Sequence, residues 1–189
     1  MRALVLALVF SVVAAAGSLY LSLALHLHAC PLCFYQRTFA FALVAVLTVG
    51  LLTLGEYRPR LVVLSLPLAI GGAGVAGFHT YLVLTGKLEC PAGVAKLGPA
   101  PAQSLAAFAL IVLALLYGFI QDVRENGIVP LLLALGLGAA AVYGAVAPGV
   151  NPPPAKADRP LEPGERLQTC RVPYKAPEPA DEGQGAESK

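Results

Sequence analysis

The chain has 189 residues, of which 57% are hydrophobic and 13% are charged, and its mean hydropathy is +0.72. Soluble domains carry roughly 25% charged residues, so this composition excludes an ordinary soluble protein and indicates an all-α integral membrane protein. The net charge of +2, with no basic stripe, gives no indication of a nucleic-acid partner.

Five apolar runs predict five membrane-spanning helices within residues 1–148. An apolar helix of about 20 residues crosses the ~30 Å hydrocarbon core of a bilayer. For the first run the alternative is a cleaved signal peptide, but the run continues well beyond the possible cleavage site at Ala14–Ala16, which favours a retained span. The predicted spans are residues 3–27, 34–54, 61–85, 104–120 and 128–147.

Residues 149–189 form a segment of different composition. Of the 24 charged residues, 13 lie in the last 39 residues, together with a run of three prolines at Pro152–Pro154. Such a segment has too little apolar surface to build a core, so we expect a flexible, extended tail. It nevertheless carries Cys170.

The distribution of basic residues predicts the orientation of the spans. The N-terminus and the turns at 55–60 and 121–127 hold four arginines, whereas the loops on the other side hold three basic residues. Because cytoplasmic loops are enriched in basic residues, we assign the N-terminus and the two tight turns to the cytoplasm. The opposite side, where disulfides persist, then receives the tail and all four cysteines: Cys30, Cys33, Cys90 and Cys170.

The motif Cys30-Pro31-Leu32-Cys33 stands at the head of the second span. Two cysteines with this spacing can close a disulfide, and the dipole of a helix N-terminus favours the thiolate. Pro31 suits the first turn of a helix, and Arg37 lies one turn beyond Cys33 on the same helical face. The pattern favours a redox site, with a structural disulfide and buried thiols as alternatives.

Two histidines close to this motif leave a second function open. Imidazole and thiolate are ligands for zinc or copper, so His26, His28, Cys30 and Cys33 could hold a metal ion. The protein would then be a metal-binding or assembly protein of the membrane without enzymatic activity. This interpretation assigns no role to the remaining two cysteines.

Three further residues are candidates for function. His79 lies well inside a predicted span, where polar side chains tend to mark functional positions. We expect it near the depth of Arg37, where the two could donate hydrogen bonds to a flat apolar ligand; a structural core histidine is the alternative. Cys90 and Cys170 are each solitary, and could form a labile disulfide, a structural one, or a bond to an external thiol.

In combination these features resemble the DsbB family of membrane thiol oxidases, which are quinone reductases that reoxidise the soluble disulfide donor DsbA. The resemblance rests on Cys30-x-x-Cys33-x-Tyr35-Gln36-Arg37, on His79-Thr80 late in the third span, and on Cys90 before the fourth. It covers residues 1 to about 120. It implies a four-helix bundle that passes electrons from a DsbA-like thioredoxin-fold partner, through a loop disulfide and the CxxC pair, to a membrane quinone (ubiquinone or menaquinone).

The resemblance also implies roles for single residues. Cys90 resembles the cysteine that forms the mixed disulfide with the partner. Cys33 resembles the cysteine that contacts quinone, and Cys30 resembles its exposed partner. Arg37 and His79 resemble quinone-site residues.

The chain departs from the family pattern in its second cysteine pair. The family's second loop usually holds both cysteines, whereas residues 86–103 hold only Cys90, so its pairing with Cys170 is inferred from topology. In bacterial homologues of vitamin K epoxide reductase the loop pair precedes the CxxC, whereas here the CxxC comes first. We therefore expect a multi-pass protein-dithiol:quinone oxidoreductase of the bacterial inner membrane, with a fifth span added to the bundle.

Overall fold

A computed structural model describes residues 2–53, 58–126, 128–147, 155–162 and 165–175. Within them the chain forms five α-helices, a single 3-10 turn and a pair of two-residue parallel strands. The helices are α1 Arg2–Leu23, α2 Pro31–Thr53, α3 Arg58–Leu84, α4 Ala100–Asn126 and α5 Val129–Val146. The 3-10 turn is Val94–Lys96, and the strands are β1 Ala155–Lys156 and β2 Arg171–Val172.

Each of the five α-helices contains a stretch long and apolar enough to cross a membrane. The predicted all-α membrane protein is therefore confirmed. Large apolar side chains such as Leu64, Leu113 and Leu137 are about 60% exposed, which suits contact with lipid tails. Residues 54–57, residue 127 and the side chains of Arg58 and Arg124, on which the predicted orientation rests, lie outside the described residues.

Three helix ends differ from the prediction by four or more residues, and one of them is the end of α4, which continues to Asn126 through most of the turn expected at 121–127. The first helix ends at Leu23, since His26 adopts a left-handed backbone conformation (φ 53°) that no α-helix continues through. The fourth helix begins at Ala100 instead of residue 104, and Pro101 lies in its first turn. A first turn tolerates proline because no helical hydrogen bond is lost there.

The helices α1 to α4 form a four-helix bundle, and α5 packs against its outside. The α3 helix contacts α2, α4 and α5, whereas α1 contacts α2 and α4. Fully buried side chains such as Leu43, Leu66, Phe108 and Ile111 fill the space between the four helices. At Gly72 a Cβ atom would overlap the ring of Phe108, so the absence of a side chain allows α3 and α4 to approach closely.

Three segments meet at one end of this bundle. The α1–α2 loop donates a hydrogen bond from the backbone N–H of His28 to the carbonyl oxygen of Gln168 (2.8 Å). In the α3–α4 loop, Glu89 forms an antiparallel backbone bridge with Arg171. The described part of the tail is thus extended, as expected, and docked on both loops. This docking brings all four cysteines to the same end of the bundle.

Candidate active site

The cysteine from the second loop and the cysteine from the tail form a disulfide, Cys90–Cys170. This is the pairing inferred from topology. Glu89 and Arg171 exchange two backbone hydrogen bonds of 2.9 and 3.0 Å directly beside it, so the two chain segments are also held together without the sulfur atoms. Cys90 is half-buried and Cys170 is buried, which leaves Cys90 as the more accessible sulfur.

The CxxC motif lies at the N-terminus of α2, as predicted. Cys30 immediately precedes the helix, whose first residue is Pro31, and Cys33 lies in its first turn. Both are free cysteines with their Sγ atoms 2.8 Å apart, and the backbone N–H of Cys33 donates a hydrogen bond to Cys30 Sγ (3.2 Å). The hydrogen bond from the Cys33 thiol, with a smaller contribution from His79, lowers the pKa of Cys30 to about 5, although burial opposes this shift.

The exposure of the two CxxC cysteines is the reverse of what the family resemblance implied. Cys30, expected to be the exposed partner, is 6% exposed, whereas Cys33 is only half-buried. The reason is that Cys170 and His79 lie directly against Cys30. Access to Cys30 is therefore from within the site, by way of the second cysteine pair.

The two cysteine pairs are adjacent. The Sγ atoms of Cys30, Cys33 and Cys170 and a ring nitrogen of His79 all lie within 4.8 Å of one another. Thiol–disulfide exchange needs direct access of one sulfur to another. Cys170, and not Cys90, is the member of the second pair that belongs to this cluster.

His79 lies between the sulfur atoms and is fully buried. Its Nε2 atom is 3.3 Å from Cys90 Sγ, 3.4 Å from Cys170 Sγ and 3.9 Å from Cys30 Sγ. Its Nδ1 atom is 3.1 Å from the side-chain nitrogen of Gln36. The prediction that His79 faces a ligand together with Arg37 differs from the structure, in which the ring contacts sulfur atoms and Gln36.

A cavity of about 330 Å³ lies beside the CxxC motif. Cys33, Gln36 and Arg37 line it from α2, and His79 is not part of its wall. The guanidinium of Arg37 donates hydrogen bonds to Ser18 and Ser22 of α1, so its position at the wall is fixed. The remaining lining residues are mostly small or apolar: Val13, Ala14, Gly17, Ser18, Leu21, Ala40, Val94, Ala100, Pro101, Gln103, Ser104, Ala107 and Phe108.

Comparison with known proteins places this site in a family. The family model described as disulfide bond formation protein DsbB matches residues 1–103. The chain belongs to the DsbB family. The match includes Cys30, Cys33, Arg37, His79 and Cys90, whereas α5 and the tail cysteine lie beyond it.

Two relatives of the DsbB-family chain carry the name probable disulfide formation protein. The protein from Chlamydia trachomatis serovar D is 33% identical over 120 residues, which cover 57% of this chain and 85% of the relative. The protein from Metapseudomonas resinovorans is 34% identical over 101 residues, which cover 46% of this chain and 67% of the relative. No solved structure matches.

The structure does not assemble the metal site that the sequence left open. The side chains of His26 and His28 are exposed, and the group that converges on Cys30 and Cys33 contains His79 and Cys170 instead. The backbone of His28 is held by the tail, but its side chain is not a member of this group. Because Cys170 is in a disulfide, that group offers two free thiols to a metal ion.

Sequence reasoning missed three polar residues of this DsbB-family site. Ser18 and Ser22 hold Arg37, and Gln36 contacts His79. A signal was present for the serines, since they lie four residues apart on one face of an otherwise apolar helix. Gln36 belongs to the motif that carried the resemblance, but nothing in the sequence showed which residue it contacts.

Proposed function

We propose that this DsbB-family protein is a protein-dithiol:quinone oxidoreductase that reoxidises a DsbA-like thioredoxin-fold partner. The observation that carries the proposal is the position of Cys170, which is bonded to the accessible Cys90 and lies next to the CxxC motif. Its Sγ atom lies within 4.8 Å of both CxxC sulfurs, and Cys33 in turn lines the apolar cavity. A route for electrons thus runs from the accessible Cys90 to the cavity wall.

The first exchange takes place at the Cys90–Cys170 disulfide. A thiolate of the partner attacks Cys90, the more accessible sulfur, and the S–S bond breaks so that the electron pair remains on Cys170. The second partner thiol then attacks the mixed disulfide and releases Cys90. One partner dithiol becomes a disulfide, and one disulfide of this chain becomes a dithiol, so the electrons balance.

The second exchange takes place between the two cysteine pairs. The Cys170 thiolate attacks Cys30 in the Cys30–Cys33 disulfide, which releases Cys33 as a thiolate at the cavity wall. Closure of the Cys90–Cys170 disulfide then leaves Cys30 and Cys33 both reduced. The structure has this distribution, with the second pair bonded and the CxxC pair free.

The cavity suits a quinone, either ubiquinone or menaquinone. Its lining is mostly apolar, with Cys33 and the positive charge of Arg37 on the same wall. A bound quinone would accept two electrons from the CxxC pair and two protons, one from the Cys33 thiol and one from water, and the pair would return to its disulfide. Arg37, held by neutral hydroxyl and carbonyl acceptors of α1, keeps a charge available to stabilise negative charge that develops in the cavity.

The same proposal includes the location of the protein. The cysteines lie at one end of a five-helix membrane domain, opposite the helix ends that carry Arg2 and Arg60. With basic residues on the cytoplasmic side, the site faces the extracytoplasmic side of a bacterial inner membrane. A soluble thioredoxin-fold partner would reach it there.

Quinone reduction by the purified full-length protein tests this function. The donor is a reduced thioredoxin-fold dithiol protein, the acceptor is a short-chain ubiquinone, and loss of the absorbance of oxidised quinone is followed. We expect activity in the wild type, loss of activity in Cys33→Ser, and full activity in His28→Ala, whose side chain is exposed. Stoichiometric zinc or copper in a protein without thiol oxidation would instead support the metal-binding alternative.

A further inference from the structure

A contact between α2 and α3 has no role in the exchange steps described so far. The side-chain nitrogen of Gln36 lies 3.1 Å from Nδ1 of His79. Both side chains are buried, with Gln36 6% exposed and His79 0% exposed. Because water does not supply an alternative partner to buried side chains, the contact partners of His79 determine which of its ring nitrogens carries a proton.

The contacts of His79 decide which ring nitrogen carries the proton. Its Nε2 atom faces the Sγ atoms of Cys90 and Cys170 at 3.3 and 3.4 Å. Sulfur atoms in a disulfide carry no hydrogen, so the only hydrogen available to these contacts is one on Nε2. The amide nitrogen of Gln36, by contrast, is only a donor, so Nδ1 must accept its hydrogen bond with a lone pair. Both contacts select the neutral tautomer with its proton on Nε2.

We propose that Gln36 is a positioning residue that holds His79 in this tautomer, so that Nε2–H stabilises the thiolate released from the Cys90–Cys170 disulfide. The inference rests on the exchange reaction proposed above. When a thiolate attacks Cys90, a new S–S bond forms, the Cys90–Cys170 bond breaks, and the electron pair stays on Cys170. That thiolate lies within reach of Nε2–H, whereas the other tautomer would direct a lone pair at it.

The first test is spectroscopic and independent of activity. The chain has three histidines, and the exposed His26 and His28 can be replaced by asparagine, which tolerates the left-handed backbone at position 26. In this full-length protein with ¹⁵N-labelled histidine, His79 gives the only ring signals. We expect a protonated Nε2 and an unprotonated Nδ1, and mixed tautomers after Gln36→Met. A protonated Nδ1 and an unprotonated Nε2 in the protein with Gln36 would overturn the inference.

The second test measures opening of the disulfide without quinone. In full-length Cys30→Ala/Cys33→Ala protein, reduction of Cys90–Cys170 by dithiothreitol is followed anaerobically by thiol alkylation and gel shift. We expect Gln36→Met and His79→Phe each to slow this reduction roughly ten- to a hundredfold, the factor equivalent to a hydrogen bond to a charged group. The control is Ser65→Ala, which removes a buried hydroxyl bonded to the backbone of the same helix as His79.

The outcomes separate this inference from the proposed function. Gln36 does not act through the histidine if the disulfide of Gln36→Met is reduced as fast as that of Ser65→Ala. The same conclusion follows if the disulfide of Gln36→Met is reduced more slowly while His79 keeps the Nε2–H tautomer. Quinone reduction by a wild type whose His79 is protonated only on Nδ1 would overturn the inference and leave the proposed function. Failure of the wild type to reduce quinone would overturn the function, whereas the tautomer would still report on Gln36.

Discussion

Arg37 of α2 donates two hydrogen bonds to Ser18 of α1, from Nε to the hydroxyl oxygen at 2.9 Å and from Nη2 to the carbonyl oxygen at 3.2 Å. Ser22, one turn further along α1, accepts another from the guanidinium. A charge on a long side chain is thereby held at the wall of the cavity, one helical turn from Cys33. Its position depends on α1 as much as on α2.

Loss of a hydroxyl that holds Arg37 should weaken the binding of quinone. We expect Ser18→Ala to raise the KM for a short-chain ubiquinone about tenfold, the lower end for a hydrogen bond to a charged group. The control is Ser11→Ala, which removes a buried hydroxyl of the same helix that accepts nothing from Arg37 and donates to Ala7. Steady-state kinetics check this, and equal KM values in the two variants would contradict it.

The backbone bridge between Glu89 and Arg171 should contribute more to the rate of quinone reduction than the ion pair between their side chains. The Arg171–Glu89 pair is 3.5 Å long and partly exposed, and such pairs contribute at most about 1 kcal/mol. We therefore expect Arg171→Ala to keep the quinone reduction rate within about twofold of the wild type. Arg171→Pro also removes the N–H that bonds to Glu89, and should slow the reaction about tenfold. Equal rates in the two variants would show that this bridge does not hold the tail in place.

The low pKa of Cys30 predicts the pH at which the reduced CxxC pair acquires charge. With a pKa of about 5, Cys30 is a thiolate at neutral pH, and it becomes protonated as the pH falls through 5. Ultraviolet absorbance of the thiolate should show this transition in the wild type and lose it in Cys30→Ser. In Cys33→Ala, which lacks the thiol hydrogen bond, we expect the transition to move to higher pH. A transition near the ordinary pKa of a thiol, ~8.5, in the wild type would contradict this prediction.

Close packing of α3 against α4 should make one glycine far more sensitive to substitution than another. At Gly72 a Cβ atom would overlap the Phe108 ring, whereas at Gly136 of α5 nothing lies within 4 Å. We expect Gly72→Ala to lower the free energy of unfolding by about 1–3 kcal/mol. Gly136→Ala should raise it by up to about 1 kcal/mol, since alanine favours helix. Unfolding in detergent by denaturant checks both, and equal effects would contradict the packing.

Much of the architecture was predictable because the bilayer imposes it. Length and hydropathy predicted the five helices, and the alternation of spans predicted that Cys30, Cys33, Cys90 and Cys170 share one end of the bundle. The pairing of Cys90 with Cys170 followed from this alternation. The helix ends were predicted less well because they depend on local features, such as the turn at His26 and the tolerance of Pro101 in a first turn.

The contacts within the site were less predictable because they depend on the rotation of each helix and on tail docking. Helix position predicted the depth of His79, but not that its ring faces sulfur atoms while Arg37 faces the cavity. Cys30 is buried because Cys170 lies next to it, and no local sequence pattern specifies that position of Cys170. The predicted roles of these residues in electron transfer stay predictions.

The central claim is that Cys170 passes electrons from the second cysteine pair to the CxxC motif. Its most direct test is disulfide formation under mild oxidation in two full-length variants, analysed by mass spectrometry of unreduced peptides. Cys33→Ser/Cys90→Ser retains Cys30 and Cys170, whose sulfur atoms lie within 4.8 Å, and should form a Cys30–Cys170 disulfide rapidly. Cys33→Ser/Cys170→Ser, which retains Cys30 and Cys90, should form its disulfide much more slowly. Equal rates, or no Cys30–Cys170 disulfide, would contradict the claim.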